Sequence, residues 1–127
     1  MTRRIAFINE KGGVGKTTLA VNIAAFFAQK RKQRVLLVDL DTQGHAAKTL
    51  GVDVRGGGLT VFDLLVGDGV EATAVTRATA VENLWLIPAW KQMADFPMRA
   101  ATMRTVLPHR PIGRGCMGLR WVPRLSR

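Results

Sequence analysis

Two kinds of apolar spacing alternate along this chain, one suited to strands and one to a helix. Ile5-Ala6-Phe7-Ile8 is a short apolar run after Arg3 and Arg4, and it reads as a buried strand over Arg4–Ile8. Leu19, Ile23, Phe26 and Phe27 then recur at i, i+4, i+7 and i+8, which is one face of a helix. Arg34-Val35-Leu36-Leu37-Val38-Asp39 reads as a second strand, apolar in its middle rather than alternating, as expected for a parallel strand covered on both faces. Strand, helix and strand in this space predict a right-handed βαβ unit, with both carboxyl-end loops on one edge of the sheet. Asn83-Leu84-Trp85-Leu86-Ile87-Pro88 reads as a third strand. Thr60-Val61-Phe62-Asp63 is a capping-box pattern that opens a short helix through Val66, closed by Gly67. Weaker helices are expected over Glu71–Arg77 and from Lys91 to Val106, the latter interrupted or kinked at Pro97. Gly56-Gly57-Gly58 is a flexible loop, since no Lys-Thr follows it. Trp85 and Trp90 are read as core and edge packing.

Candidate chemistry enters between the first strand and the first helix. Lys11-Gly12-Gly13-Val14-Gly15-Lys16-Thr17-Thr18 is a glycine-rich turn running straight into the helix. Without side chains in the way, the N–H groups of Gly12, Gly13 and Gly15 can curl around an anion. The positive end of the following helix faces the same anion. Lys16 supplies a point charge for β/γ-phosphates, and the Thr17 hydroxyl suits a Mg²⁺ ligand. The general pattern G-x-x-x-x-G-K-[ST] is broken at its first glycine, where Glu10 stands, and Lys11 adds a second cation at the head of the loop.

The second edge loop, Asp39-Leu40-Asp41-Thr42-Gln43-Gly44-His45, carries two carboxylates one residue apart. Alone it reads as an Asp-rich turn capping a short helix. Beside a phosphate loop, Asp39 and Asp41 suit Mg²⁺ and its coordinated waters. His45 is read as a turn residue.

These segments carry a family resemblance. Asn9-Glu10-Lys11-Gly12-Gly13-Val14-Gly15-Lys16-Thr17-Thr18 resembles the deviant Walker A box of the ParA/MinD ATPases, and the Asp39–Gly44 stretch is similar to the D-x-D-P-Q-G segment of ParA-type members, with Thr42 in place of proline. The resemblance implies an α/β fold, a P-loop parallel sheet with flanking helices, here truncated. It implies ATP and Mg²⁺ as ligands, with residues Lys11 to Thr18 holding the nucleotide and Thr17, Asp41 and Asp39 serving the metal. It casts Lys11, Lys16 and Asp41 as catalytic. Lys11 would reach across an ATP-dependent homodimer to the partner's nucleotide, much as an arginine finger does, a device worth about 10³–10⁵ in rate. Asp41 would orient the attacking water or hold a magnesium-bound one. The family further implies partition of plasmids or chromosomes, a ParB-like partner that stimulates hydrolysis, and nonspecific DNA binding.

Composition alters this picture only beyond residue 98. Residues 1–98 hold 12 Lys and Arg against 9 acids, whereas residues 99–127 hold seven arginines and no acid, which accounts for most of the net charge of +10. The chain therefore divides into 1–98, resembling the N-terminal part of a ParA-like domain, and 99–127, a basic tail without family resemblance. The tail lacks the apolar strand ending in Asp and two prolines that the family shows next, and it is read as an out-of-frame or truncated remnant. A nucleic-acid-binding arm using Trp121, and an end with no role, are the other readings. With the Walker B carboxylate absent, a fragment that binds nucleotide without hydrolysis is the alternative function, and another MinD/ParA relative is a third. MinD-type regulators need an amphipathic anchor that the tail lacks, and nitrogenase iron proteins need cluster cysteines where this chain has only Cys116. One cysteine excludes an internal disulfide, and the N-terminal apolar run is too short for a signal peptide, so a cytoplasmic location without membrane contact is expected. Hydrophobic residues make up 47% of the chain, against disorder overall. Lacking the strands that should flank the first one, the domain is expected to be marginal and to leave apolar sheet surface exposed.

Overall fold

The structure, a computed structural model, describes residues 2–99. Helix α1 spans Lys16–Gln29, strand β1 Val35–Val38, and helix α2 His45–Thr49. Helices α3, Val61–Val66, and α4, Ala72–Val75, lead to strand β2, Arg77–Ala78, and strand β3, Leu84–Ile87. A 3₁₀ turn over Lys91–Asp95 follows, and the backbone stays helical over 96–99.

The sheet has three strands in the order β1-β3-β2. β1 and β3 are parallel, with Val35 opposite Leu84 and Val38 opposite Ile87, whereas β2 lies antiparallel to β3. Successive side chains leave a strand on opposite faces. On one face Leu84 and Leu86 join Val21, Ala24 and Ala28 of α1 and Ala46 and Ala47 of α2, with Val35 and Leu37 packed against them. On the other, Ile87 joins Val61, Val75 and Met93 under α3, α4 and the 3₁₀ turn. That second layer covers β3 but stops short of β1, where Leu36 and Val38 stay 40% and 46% exposed. The expected bare apolar surface is therefore present, and it lies on β1.

Three expectations need correction. Arg4–Ile8 forms no strand: Ile5 is 61% and Ile8 90% exposed. An extended segment becomes a strand only when a neighbour takes its N–H and C=O groups, and no described segment pairs with it. The unit beginning at Arg4 is accordingly not closed, and the parallel pair is β1 with β3. The helix expected over Glu71–Arg77 is only Ala72–Val75, because Arg77 and Ala78 enter the sheet as β2. The Lys91–Val106 helix is replaced, as far as described, by the 3₁₀ turn and the 96–99 segment. Pro97 stands in the first turn of that segment, where its missing N–H has no intrahelical acceptor to lose. Its continuation, the basic tail, Cys116 and Trp121 lie outside the described residues.

The capping box at α3 is formed. Asp63 accepts the Thr60 N–H at 2.7 Å and the Thr60 hydroxyl at 3.0 Å, and Gly67 N–H closes the helix on Asp63 O at 2.8 Å. Asp63→Ala should destabilise the chain by about 1 kcal/mol, read as a lower midpoint in urea unfolding.

Candidate nucleotide site

The glycine-rich loop is anchored at both ends by its own polar groups. At its head Asn9 Oδ1 accepts the Lys11 N–H at 2.9 Å, an Asx turn that starts the reversal. At its foot Gly15 precedes α1 with φ +80°, and Gly13 has φ +73°, conformations in which any L side chain is strained. A Cβ added at either glycine would meet nothing within 4 Å, so their conformation, not crowding by the protein, requires glycine.

α1 begins without a side-chain cap and without an acid in its first turn. The amides of residues 12–18 donate to no acceptor among the described residues, and the first helical bond is Leu19 N–H to Gly15 O at 2.8 Å. The donors that open α1, at its positive dipole end, therefore have no acceptor among the described residues. The Lys16 ammonium donates to Lys11 O at 2.9 Å, folding the lysine back over the loop. The Thr17 hydroxyl and the exposed Lys11 ammonium make no hydrogen bond or ion pair among the described residues.

The second loop is organised by Asp39, which is 8% exposed. Its Oδ1 accepts the Asp41 N–H at 3.0 Å and its Oδ2 the Ala46 N–H at 3.3 Å, while its own N–H continues the ladder to Ile87 O at 3.0 Å. Burial raises its carboxyl above the ordinary 3.8, against the opposing pull of those two amides. Asp41 is half-buried and uses one oxygen, Oδ1, to accept the Gln43 N–H at 3.0 Å. Gly44 holds φ +58° and lies so close to Ala89 that a Cβ would meet its carbonyl at 2.8 Å. The loop thereby rests on the chain leaving β3. His45 is exposed and opens α2.

Residues 9–18 thus form one cluster and Asp39, Asp41 and α2 another, and no hydrogen bond or ion pair joins the two among the described residues. Nor do three His, Cys, Asp or Glu side chains gather anywhere among them as a metal cage. The donor set instead suits Mg²⁺, which is commonly held by one or two carboxylates and substrate phosphates. The Thr17 hydroxyl and Asp41 Oδ2 are free to contribute, whereas both oxygens of Asp39 already serve amides. An open cavity of about 600 Å³, lined by Gln43, His45, Lys48, Arg55 and Trp90 among others, contains no residue of the glycine-rich loop. Sequence reasoning missed the Lys11 carbonyl as the resting partner of Lys16 and the Gly44–Ala89 approach. Asn9 could have been found from its place at the head of a turn.

A glycine-rich loop of this geometry opening a helix that packs on a parallel strand pair defines a P-loop nucleotide-binding fold class. The family model described as an AAA domain matches residues 2–109. The sporulation initiation inhibitor protein Soj of Bacillus subtilis is 48% identical over 94 residues, covering 74% of this chain and 36% of that protein. The chromosome-partitioning ATPase Soj of Thermus thermophilus is 44% identical over 105 residues, 83% of this chain and 39% of that one. Among solved structures, the cobyrinic acid a,c-diamide synthase of Mycobacterium smegmatis with bound ADP and magnesium superposes with a TM-score of 0.67 at 37% identity, covering 80% of this chain and 38% of that one. An ATP complex of Cyanothece McdA gives 0.65 at 28% identity, covering 74% and 35%. The chain belongs to this AAA-domain family. Within it, the chain corresponds to the N-terminal part of a ParA/MinD-type P-loop ATPase, and it spans little more than a third of the length of the relatives it matches.

Because burial makes the native state bind the Asp39 proton more tightly than the unfolded chain does, this group adds stability as pH falls through its raised pKa toward 3.8. In urea unfolding followed from about pH 7 to pH 4, the native chain should show that gain, and Asp39→Asn should lack it.

Proposed function

We propose that the chain binds a magnesium nucleoside triphosphate, ATP, on Lys11, Gly12, Gly13, Val14, Gly15, Lys16, Thr17 and Thr18, as part of a partition-type ATPase. The observation that carries this reading is the set of unpaired amides over residues 12–18 at an uncapped helix start, with Lys16 parked on a carbonyl it can leave. A polyphosphate laid on these amides accepts their hydrogen bonds and draws the Lys16 ammonium from Lys11 O onto the β/γ oxygens. Thr17, together with Asp41, would hold a magnesium ion, which would neutralise negative charge on the phosphates. Asp39 fixes the backbone on which Asp41 stands and thereby supports the metal's surroundings. Lys11, with a free ammonium at the head of the loop, acts on the nucleotide of a second subunit in an ATP-dependent homodimer, and Asp41 orients the attacking water. Similarity to the Soj proteins supports chromosome or plasmid partition in the cytoplasm, a ParB-like partner and nonspecific DNA binding as the setting.

One observation favours a second reading. Residues 96–127 contain no Asp or Glu, so this segment offers the metal no further carboxylate, and binding without turnover is the reading it favours.

Titration of the chain with a fluorescent ATP analogue should show magnesium-dependent binding, weakened about 10–100-fold by Lys16→Ala, the loss of a hydrogen bond to a charged group. Absence of magnesium-dependent binding in the native chain would overturn both readings. Steady-state hydrolysis lost in Lys16→Ala selects the ATPase, and no turnover in either protein selects the binding module.

A further inference from the structure

The turn that carries Asp41 is tied differently at its two ends. At its start, Asp39 N–H donates to Ile87 O at 3.0 Å, and Asp39 Oδ1 accepts the Asp41 N–H at 3.0 Å. The turn then closes on Asp41 itself, whose Oδ1 accepts the Gln43 N–H and whose carbonyl accepts the Gly44 N–H, both at 3.0 Å. At its far end, Gly44 makes no hydrogen bond to the chain leaving β3 among the described residues. Contact seats it there instead. A Cβ on Gly44 would meet Ala89 O at 2.8 Å, closer than such atoms come, and Trp90 Cε3 at 3.5 Å, an ordinary van der Waals separation. The Trp90 ring thus flanks the turn, and Gln43, Gly44, His45 and Trp90 line the same open cavity.

Core packing does not account for Trp90. It is half-buried and joins neither of the two buried clusters, one on each face of the sheet. Its own place is set from the 3₁₀ turn that follows. Met93 N–H donates to Trp90 O at 2.9 Å, and the Lys91 ammonium lies 5.8 Å from the ring centre, within cation–π distance. No hydrogen bond or ion pair links Trp90 to residues 9–18 among the described residues.

We propose that Trp90 is a positioning residue for Asp41: with Ala89 it fixes the Gly44 end of the turn and so sets where Asp41 Oδ2 stands. The proposal rests on the reading of Asp41 as a magnesium ligand and gives that ligand a support outside its own loop. A carboxylate with Oδ1 committed to the Gln43 N–H pivots with the turn, so a shift at Gly44 is passed on to Oδ2. The amides of residues 12–18 and Lys16 do not share in that shift, because no hydrogen bond or ion pair joins the glycine-rich loop to this turn among the described residues. Trp90 therefore acts on the metal dependence of binding and not on affinity for the bare polyphosphate.

Magnesium titration of the full chain at a fixed concentration of a fluorescent ATP analogue reads the metal dependence, and the same analogue in EDTA reads affinity for the bare polyphosphate. Trp90→Ala should raise the magnesium concentration at half-saturation about tenfold, the low end of what losing the support of a metal ligand costs. Its affinity in EDTA should match that of the native chain. Trp90→Phe, which keeps a ring beside Gly44, should restore most of the magnesium response. Gly44→Ala, which drives the turn off Ala89 from the other side, should repeat the Trp90→Ala defect, and the two Trp90 variants decide even where Gly44→Ala fails to fold. In the free chain, without nucleotide or metal, hydrogen exchange at the Gln43 and Gly44 amides should quicken severalfold in Trp90→Ala, with Leu19 at the start of α1 unchanged. An unaltered magnesium response in Trp90→Ala, an equal loss of affinity with and without magnesium, a Trp90→Phe as defective as Trp90→Ala, or unchanged exchange at Gln43 and Gly44 would overturn the proposal. A native chain without magnesium-dependent binding would sink the nucleotide reading along with it, whereas a native response that Trp90→Ala leaves intact sinks only the assignment of Trp90.

Discussion

The parallel ladder between β1 and β3 is the constraint on which the rest of the structure depends. Running from Val35 N–H on Asn83 O to Asp39 N–H on Ile87 O, it joins segments nearly fifty residues apart by evenly spaced bonds. Parallel pairing sends both strands out at the same edge, so the Asp39 loop and the chain after β3 emerge side by side. Their contact is close enough that Gly44 admits no Cβ against Ala89. The same ladder offers α1 a surface to pack on. Without Val35, Leu37, Leu84 and Leu86 beneath it, α1 would have nothing to hold its first turn toward a ligand.

What α1 presents there is an unresolved electrostatic demand. A helix start normally meets a serine, threonine or acid that takes up its free amides. Here the preceding residue is a glycine in the left-handed region, and the first turn carries no acid. Among the described residues, Lys16 finds as partner a neutral carbonyl, that of Lys11, a weaker acceptor than a charged one.

The second loop shows a division of labour between two carboxylates that look equivalent on paper. Asp39 is buried and gives both oxygens to backbone amides, so it shapes the turn and holds the start of α2. Asp41 is less buried and keeps one oxygen free. The two carboxylates of this Asp-x-Asp turn thus differ: Asp39 is tied up in the turn, and Asp41 has a carboxylate oxygen to spare among the described residues.

Local chemistry was legible in the residues themselves. The glycine-rich loop, the start of α1, the capping box at Thr60–Asp63 and the apolar runs of β1 and β3 all follow from backbone preference and short-range hydrogen bonds, which need only neighbours in sequence. Partnership was not. Ile5-Ala6-Phe7-Ile8 has the composition of a strand and forms none, because a strand exists only with a second segment to receive its hydrogen bonds. Arg77 and Ala78 have little strand character and yet pair with β3, because it lies beside them. Backbone preference and short-range hydrogen bonds, all local in sequence, are enough to specify the glycine-rich loop and the capping box. Contacts between residues far apart in the chain, and not local preference, settle which strands pair and which aspartate is buried.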